Sequence, residues 1–122
     1  MASEITLHGI KNCDSCRKAR KWLDEHKIQY QFHDVREDGI SIQMLERWGG
    51  RIDWLKLLNK KSTTWRQLPD GERDDLDKSR ALAMILKHPT LLKRPLLECD
   101  QFIAVGFRPD TYHESFYRSG LI

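Results

Sequence analysis

Cys13 and Cys16 stand three positions apart in GIKNCDSCRKARKWL, residues 9–23, where a short apolar segment gives way to a helical pattern. Two thiols at this spacing offer three chemistries: a redox pair, half a metal site, or one working nucleophile with a second cysteine behind it. A helix that begins at Asp14 sets Cys13 at its start, beside free backbone N–H groups and the positive end of the dipole. A thiolate there is stabilised, so the Cys13 thiol is expected to be more acidic than a free one. Lys11, Arg17 and Lys18 add to this if they point inward. The same N–H groups can hold an incoming oxyanion. Cys16, one turn later, lies on the same side as Cys13 and shares a face with Ala19 and Leu23. It therefore sits deeper, either as the thiol that resolves a mixed disulfide on Cys13 or as a small buried hydrophobe. A metal site needs more ligands than Cys99 and five scattered histidines supply. No second C-x-x-C or H-x-x-x-H follows, and no metal is expected.

Two arginine–proline pairs are the other candidates for chemistry. Arg94-Pro95 precedes an apolar run, where the proline either opens an edge strand or forms a cis bond that turns the backbone toward the first helix. Arg108 precedes Pro109. The planar fork of arginine suits bidentate contact with an oxyanion.

The elements that must position these residues follow from periodicity. EITLHG alternates and reads as a strand, the pattern from Asp14 to about Lys27 as a helix, and IQYQFHDV as a second strand, with Ile28, Tyr30 and Phe32 on one side. Strand, helix, strand in so short a span is a βαβ unit with parallel strands. Ser41 caps a helix carrying Met44, Leu45 and Trp48 and ended by Gly49-Gly50. IDWLKLL is a shorter periodic piece, and NKKSTTWRQLPDG a loop with a brief helical turn. A helix is expected from about Glu72 to Lys87, presenting Leu76, Ala83, Ile85 and Leu86. LLEC and FIAV, around Asp100-Gln101, form a hairpin in which Cys99 serves packing. Pro109 opens a last helix whose apolar side carries Tyr112, Phe116 and Tyr117. His8 and His33 lie on strands and are read as structural. The order βαβ, helices, ββ, α describes a single α/β domain over residues 1–122, a mixed sheet flanked by helices with a helical insertion at about 40–90.

At 122 residues, 39% hydrophobic and 32% charged, the chain has the composition of a globular domain. A net charge of +3 permits anion binding but, with acidic and basic residues interleaved, does not point to nucleic acid. The exception is residues 11–21, where Lys11, Arg17, Lys18, Arg20 and Lys21 face Asp14 alone. No apolar run is long enough to cross a bilayer, and MASEITLHG has no secretory pattern. An odd cysteine count is no disulfide framework, and a cytoplasmic protein is expected.

NCDSCRKARKWLDEH after a first strand, LLKRPLL around Arg94 and VGFRP around Arg108 resemble the arsenate reductase (ArsC) family, and the similarity runs along essentially the whole chain. LLNKKSTTWRQL is most similar to the YffB-type branch, proposed glutathione-dependent thiol reductases. SCRKARKWLDEH is equally similar to the Spx branch, redox-sensing regulators that bind the RNA polymerase α subunit through a C-x-x-C switch. The resemblance implies a thioredoxin-like fold with an inserted helical region and Cys13 as nucleophile. It further implies Arg94 before a cis-proline, Pro95, and Arg108 as a substrate arginine. Asn12 falls in the loop where arsenate reductases carry His-Asn-Pro; here the run is Ile-Lys-Asn. No arginine stands near Asn59 and Lys60, where the family has another, and both departures argue against arsenate itself. Catalysis by Cys13 and Cys16, with Asn12, Arg17, Arg94, Pro95 and Arg108 at the substrate, is the expected site. No tightly bound cofactor is expected. The expected partners are glutathione or another small thiol, an oxyanion or disulfide substrate, and, for a regulator, the polymerase α subunit.

Overall fold

A computed structural model describes residues 4–122. In chain order the elements are β1 (Thr6–Gly9), α1 (Asp14–Glu25), β2 (Gln31–Asp34), α2 (Ile42–Arg51), α3 (Thr63–Gln67), α4 (Asp70–Arg73), α5 (Lys78–Lys87), β3 (Leu96–Glu98), β4 (Ile103–Val105) and α6 (Pro109–Arg118). The chain divides into two compact units, Met1–Asp38 with Arg94–Ile122, and Gly39–Lys93.

The first unit holds a four-stranded sheet in the order β2-β1-β3-β4. β1 pairs parallel with β2, and β3 runs antiparallel to both β1 and β4. This mixed order is the thioredoxin-like arrangement. Side chains alternate between the faces of a strand, and Leu7 falls in register with Phe32 and Leu97, which in turn pairs with Ala104. That face joins Ala19, Trp22 and Leu23 of α1 and Tyr112 and Phe116 of α6 in one core. The opposite face carries His8, which is buried and bonds through Nδ1 to His33 Nδ1 (2.9 Å) and through Nε2 to Glu98 Oε1 (3.0 Å). Both ring nitrogens of a buried imidazole are thereby satisfied, as burial demands.

α1 buries Cys16, Ala19, Trp22 and Leu23, the face its periodicity marks. It ends earlier than about Lys27, because Lys27 turns into the left-handed region (φ 55°) and the Ile28 N–H reaches back to the Leu23 carbonyl. The β3–β4 hairpin is closed by the Cys99 N–H donating to the Phe102 carbonyl across Asp100-Gln101. Cys99 is buried. In α6, Tyr112 and Phe116 are buried as expected, whereas Tyr117 is 69% exposed and belongs to the solvent face.

The second unit is helical. Ser41 caps α2 by accepting from the Met44 N–H. The helix runs through Gly49 and Gly50 to Arg51 instead of stopping there, and α2 packs on α5 with a Gly49 Cβ position only 3.2 Å from Lys78 Cε. Gly49 thus serves close approach between helices. The expected helix 72–87 is broken in two: Asp75 takes a positive φ of 53° and Asp77 caps α5 by accepting from the Arg80 N–H. A competing aspartate cap outweighs continuity here. The buried face of α5 is Ala81, Leu82 and Ile85, while Ala83 and Leu86 are exposed and Leu76 precedes the helix. Among the described residues no helix is long and apolar enough to cross a membrane.

Candidate active site

Ile10 to Cys13 form the loop between the C-terminal end of β1 and α1. Asp34, at the end of the neighbouring β2, holds this loop. Its buried carboxylate accepts from the Lys11 N–H (3.0 Å) on one oxygen and from the Arg36 and Glu37 N–H groups (2.8 and 2.9 Å) on the other. Burial alone would raise its pKa, but these three backbone donors and the Lys11 charge lower it. The carboxylate therefore adds stability above the ordinary aspartate range, and that stability is lost as pH falls through the depressed folded value. Sequence reading missed Asp34; its signal was an aspartate at the end of a strand, followed by the donors of a turn.

Cys13 is the N-cap of α1 and partly exposed, with extended backbone angles. Its side chain makes no cap hydrogen bond to the helix, but the Cys16 N–H nonetheless acts on its sulfur. Partial burial pushes the Cys13 thiol up. Against this, the Cys16 N–H, the Cys16 S–H and the Arg94 guanidinium all favour the thiolate and together hold the pKa below its ordinary value. Cys16 is buried at 1% exposure. Burial, reinforced by the neighbouring Cys13, pushes its thiol up to about 12 despite the pull of the Ile10 N–H and Arg94. The pair is thus split into an acidic outer thiol and a protonated inner one that donates to it. All three cysteines are free thiols.

Gly9 explains how Cys16 fits. A Cβ built on Gly9 would lie 2.6 Å from Cys16 Sγ, so the inner sulfur occupies the space that a side chain on β1 would fill.

Arg94 lies two residues before β3, which pairs with β1, and acts on both sulfurs. Its peptide bond to Pro95 is cis, and Pro95 is buried with its carbonyl accepting from the Gly106 N–H at 2.8 Å. The remaining candidates lie further out. Asn12 and Arg17 are exposed and bond to each other (3.1 Å), with Arg17 also 3.7 Å from Asp14. Lys11 pairs with Glu37 at 2.7 Å, both side chains exposed. Arg108, exposed at the N-cap of α6, lies 3.7 Å from Asp110.

A cleft of about 330 Å³ adjoins the loop, lined by Ile10, Lys11, Asn12, Asp34, Arg36 and Glu37. A larger opening of about 800 Å³ lies at the other end of β1, around Ile5, Ile28 and Tyr30, away from the cysteines. Among the described residues, no cluster of three or more His, Cys, Asp or Glu side chains is placed to hold a metal ion.

The acidity of Cys13 gives a direct expectation. Its alkylation by iodoacetamide follows a pH midpoint below the ordinary thiol value of 9.0. Arg94→Ala moves that midpoint upward, because a cation that favours the thiolate is gone. An unchanged midpoint in the variant would show that Arg94 does not act on Cys13.

Against known proteins, the ArsC family model matches residues 8–115. An uncharacterized protein of Haemophilus influenzae is 42% identical over 112 residues, covering 92% of this chain and 98% of that one. The global transcriptional regulator Spx of Listeria innocua is 30% identical over 110 residues, covering 87% of this chain and 82% of the regulator. Among solved structures, the YFFB (PA3664) protein superposes with a TM-score of 0.87 at 43% identity, covering 91% of this chain and 97% of that one. With nearly the whole sequence inside the family model, and with the fold and the cysteine loop described above, this chain belongs to the ArsC family.

Proposed function

We propose that this chain is a thiol-dependent reductase that acts on mixed disulfides of small thiols, with Cys13 as nucleophile and Cys16 as resolving thiol. The observation that carries the reading is the placement of Cys13 at the N-cap of α1 with the buried Cys16 one turn behind it, where the Cys16 N–H, the Cys16 thiol and the Arg94 guanidinium favour the Cys13 thiolate. A thiolate so held attacks one sulfur of the substrate disulfide, expels the other as a thiol and leaves a mixed disulfide on Cys13. Cys16 then loses its proton and attacks Cys13 Sγ, forming the Cys13–Cys16 disulfide and releasing the second thiol. Two molecules of glutathione or a similar thiol restore the dithiol and leave as their own disulfide. The polar cleft beside the loop, with Lys11, Asn12 and Arg36 on its walls, suits a charged peptide thiol. A disulfide substrate is preferred to an oxyanion because, of the arginines expected at the site, Arg94 is the one that acts on Cys13. Arg17 and Arg108 keep to Asn12, Asp14 and Asp110. The cytoplasm, which keeps thiols reduced, is the compartment proposed.

The test supplies the reduced chain with a glutathione mixed disulfide, excess glutathione and a coupled readout of glutathione disulfide. Wild type is expected to turn over, and Cys16→Ser, given the mixed disulfide without free glutathione, to accumulate the Cys13 adduct, seen by intact mass. Arsenate in place of the disulfide is expected to give far less turnover. The identity to Spx supports a second reading, a redox switch that contacts the RNA polymerase α subunit. That reading wins if wild type shows no turnover, yet oxidation to the Cys13–Cys16 disulfide changes binding to the isolated α subunit.

A further inference from the structure

The turn that follows β2, residues 35–38, is tied to the cysteine loop. The Val35 N–H donates to the Gly9 carbonyl (2.9 Å), the Lys11 N–H to Asp34 Oδ2 (3.0 Å) and the Asp38 N–H to the Asp34 carbonyl (2.8 Å). Residues of both segments wall the cleft of about 330 Å³, a volume at the lower end of the range of small-molecule sites. Asn12, on that wall, immediately precedes Cys13, so a ligand seated in the cleft lies beside the nucleophile. Three carboxylates stand in or next to the cleft, and each is engaged. Asp34 accepts three backbone N–H groups, Glu37 holds the Lys11 ammonium at 2.7 Å, and Asp38 Oδ2 accepts the Asp34 N–H at 3.2 Å.

Arg36 is the exception. Its backbone N–H is fixed by Asp34 Oδ1 (2.8 Å), which sets the residue on the cleft wall, but its exposed guanidinium has no hydrogen-bond or ion-pair partner among the described residues. Asn12 adds a second spare donor: Arg17 occupies its Oδ1 at 3.1 Å, which turns the amide N–H groups to another acceptor. A planar guanidinium without an acceptor fits a carboxylate, which takes two parallel N–H bonds from it. Placed on the wall of the cleft, such a pair holds the arm of a substrate whose sulfur lies at Cys13. We propose that Arg36, with the Asn12 amide, forms a carboxylate subsite that selects disulfides of carboxylate-bearing small thiols, the glutathione type, over neutral ones. The choice of a disulfide as ligand rests on the reading of Cys13 proposed above; the carboxylate subsite does not.

Two probes separate the subsite from the reaction. S-Methylglutathione keeps its carboxylates and cannot exchange, so its titration into the full chain, followed by amide chemical shifts, reads binding alone. Affinity is expected to fall about tenfold in Arg36→Gln, the size of a hydrogen bond between charged groups, and by less in Arg36→Lys, which keeps the charge without the fork. Lys87→Gln removes an equal charge from the end of α5 and is expected to bind as wild type. The second probe mixes the reduced chain with glutathione disulfide or with neutral bis(hydroxyethyl) disulfide. The Cys13 thiolate attacks one sulfur, the reagent's S–S bond breaks, a bond from Cys13 to that sulfur forms and the other half leaves as thiolate. Loss of the reduced chain is read by intact mass after an acid quench. Arg36→Gln is expected to react about tenfold more slowly with glutathione disulfide and at the wild-type rate with the neutral reagent, which also shows the variant folded. Equal slowing with both disulfides overturns the selection. Absent binding of S-methylglutathione, binding unchanged in Arg36→Gln, or the same loss in Lys87→Gln overturns the subsite. Binding that depends on Arg36 in a chain that consumes neither disulfide supports the subsite and overturns the reductase reading.

Discussion

Replacing Cys13 by serine lowers disulfide-reductase turnover by about a thousandfold or more while leaving the chain at least as stable as wild type. The donors around residue 13 are strong enough to favour a thiolate but not to create an alkoxide, whose parent hydroxyl is far less acidic than a thiol. Stability moves the other way. Cys13 is an N-cap whose side chain makes no cap hydrogen bond. Serine is among the preferred residues there, and its oxygen can take over the Cys16 N–H that now acts on the sulfur, a cap of the kind whose removal costs about 0.5–2 kcal/mol. Turnover with the glutathione mixed disulfide and a thermal melt of the same preparation read both effects. Activity that survives the substitution would remove Cys13 as nucleophile, and a melt that drops by several degrees would make it a structural residue.

Gly9→Ala is expected to destabilise the fold by about 1–3 kcal/mol, and Cys16→Ala to rescue much of that loss. The new methyl would stand 2.6 Å from Cys16 Sγ, 3.4 Å from Cys16 Cβ and 3.5 Å from a Phe32 ring carbon. Helix α1 cannot back away to make room, since Ala19 and Leu23 on the same face are fully buried in the core beneath. Deleting the sulfur leaves the 3.4 Å contact as the tightest, which small shifts can absorb. A double-mutant cycle by urea denaturation should therefore give the pair a favourable coupling of about 1 kcal/mol or more. If the losses simply add, the sulfur does not fill the Gly9 space.

The sequence announces the parts of this molecule that depend on local rules. β1, α1 and β2 follow from a switch of hydrophobic period, and Cys13 falls at a helix start because the apolar pattern changes at Gly9. Pro109 opens α6, and Asp100-Gln101 turns the hairpin. What stays hidden depends on partners distant in the chain. Gly49-Gly50 carries the look of a helix stop, yet it lies inside α2, where Gly49 faces Lys78 and Leu82 of α5 and Gly50 meets nothing. Leu86 and Tyr117 have the spacing of core residues but are exposed, because a face is buried only where another element covers it. In the site, basic neighbours such as Lys11 and Arg17 look like activators of Cys13 but are spent on Glu37, Asn12 and Asp14. The group that acts, Arg94, arrives through strand pairing, and Asp34, which fixes the loop, through a parallel neighbour.

The antiparallel register of β1 with β3, in which His8 faces Leu96, has a consequence for how the protein is made. A ribosome delivers Cys13 long before Arg94, and the contact between them is of high order, formed only after a long loop has closed. Until β3 docks, Cys13 lacks its guanidinium partner and the Cys16 sulfur lacks one of its facing charges. A nascent or locally opened chain therefore carries a less acidic Cys13, while Cys16, out of its burial, returns toward an ordinary and accessible thiol. The contrast between an acidic outer thiol and a protonated inner one is thus a property of the folded chain, complete only when β3 lies paired beside β1.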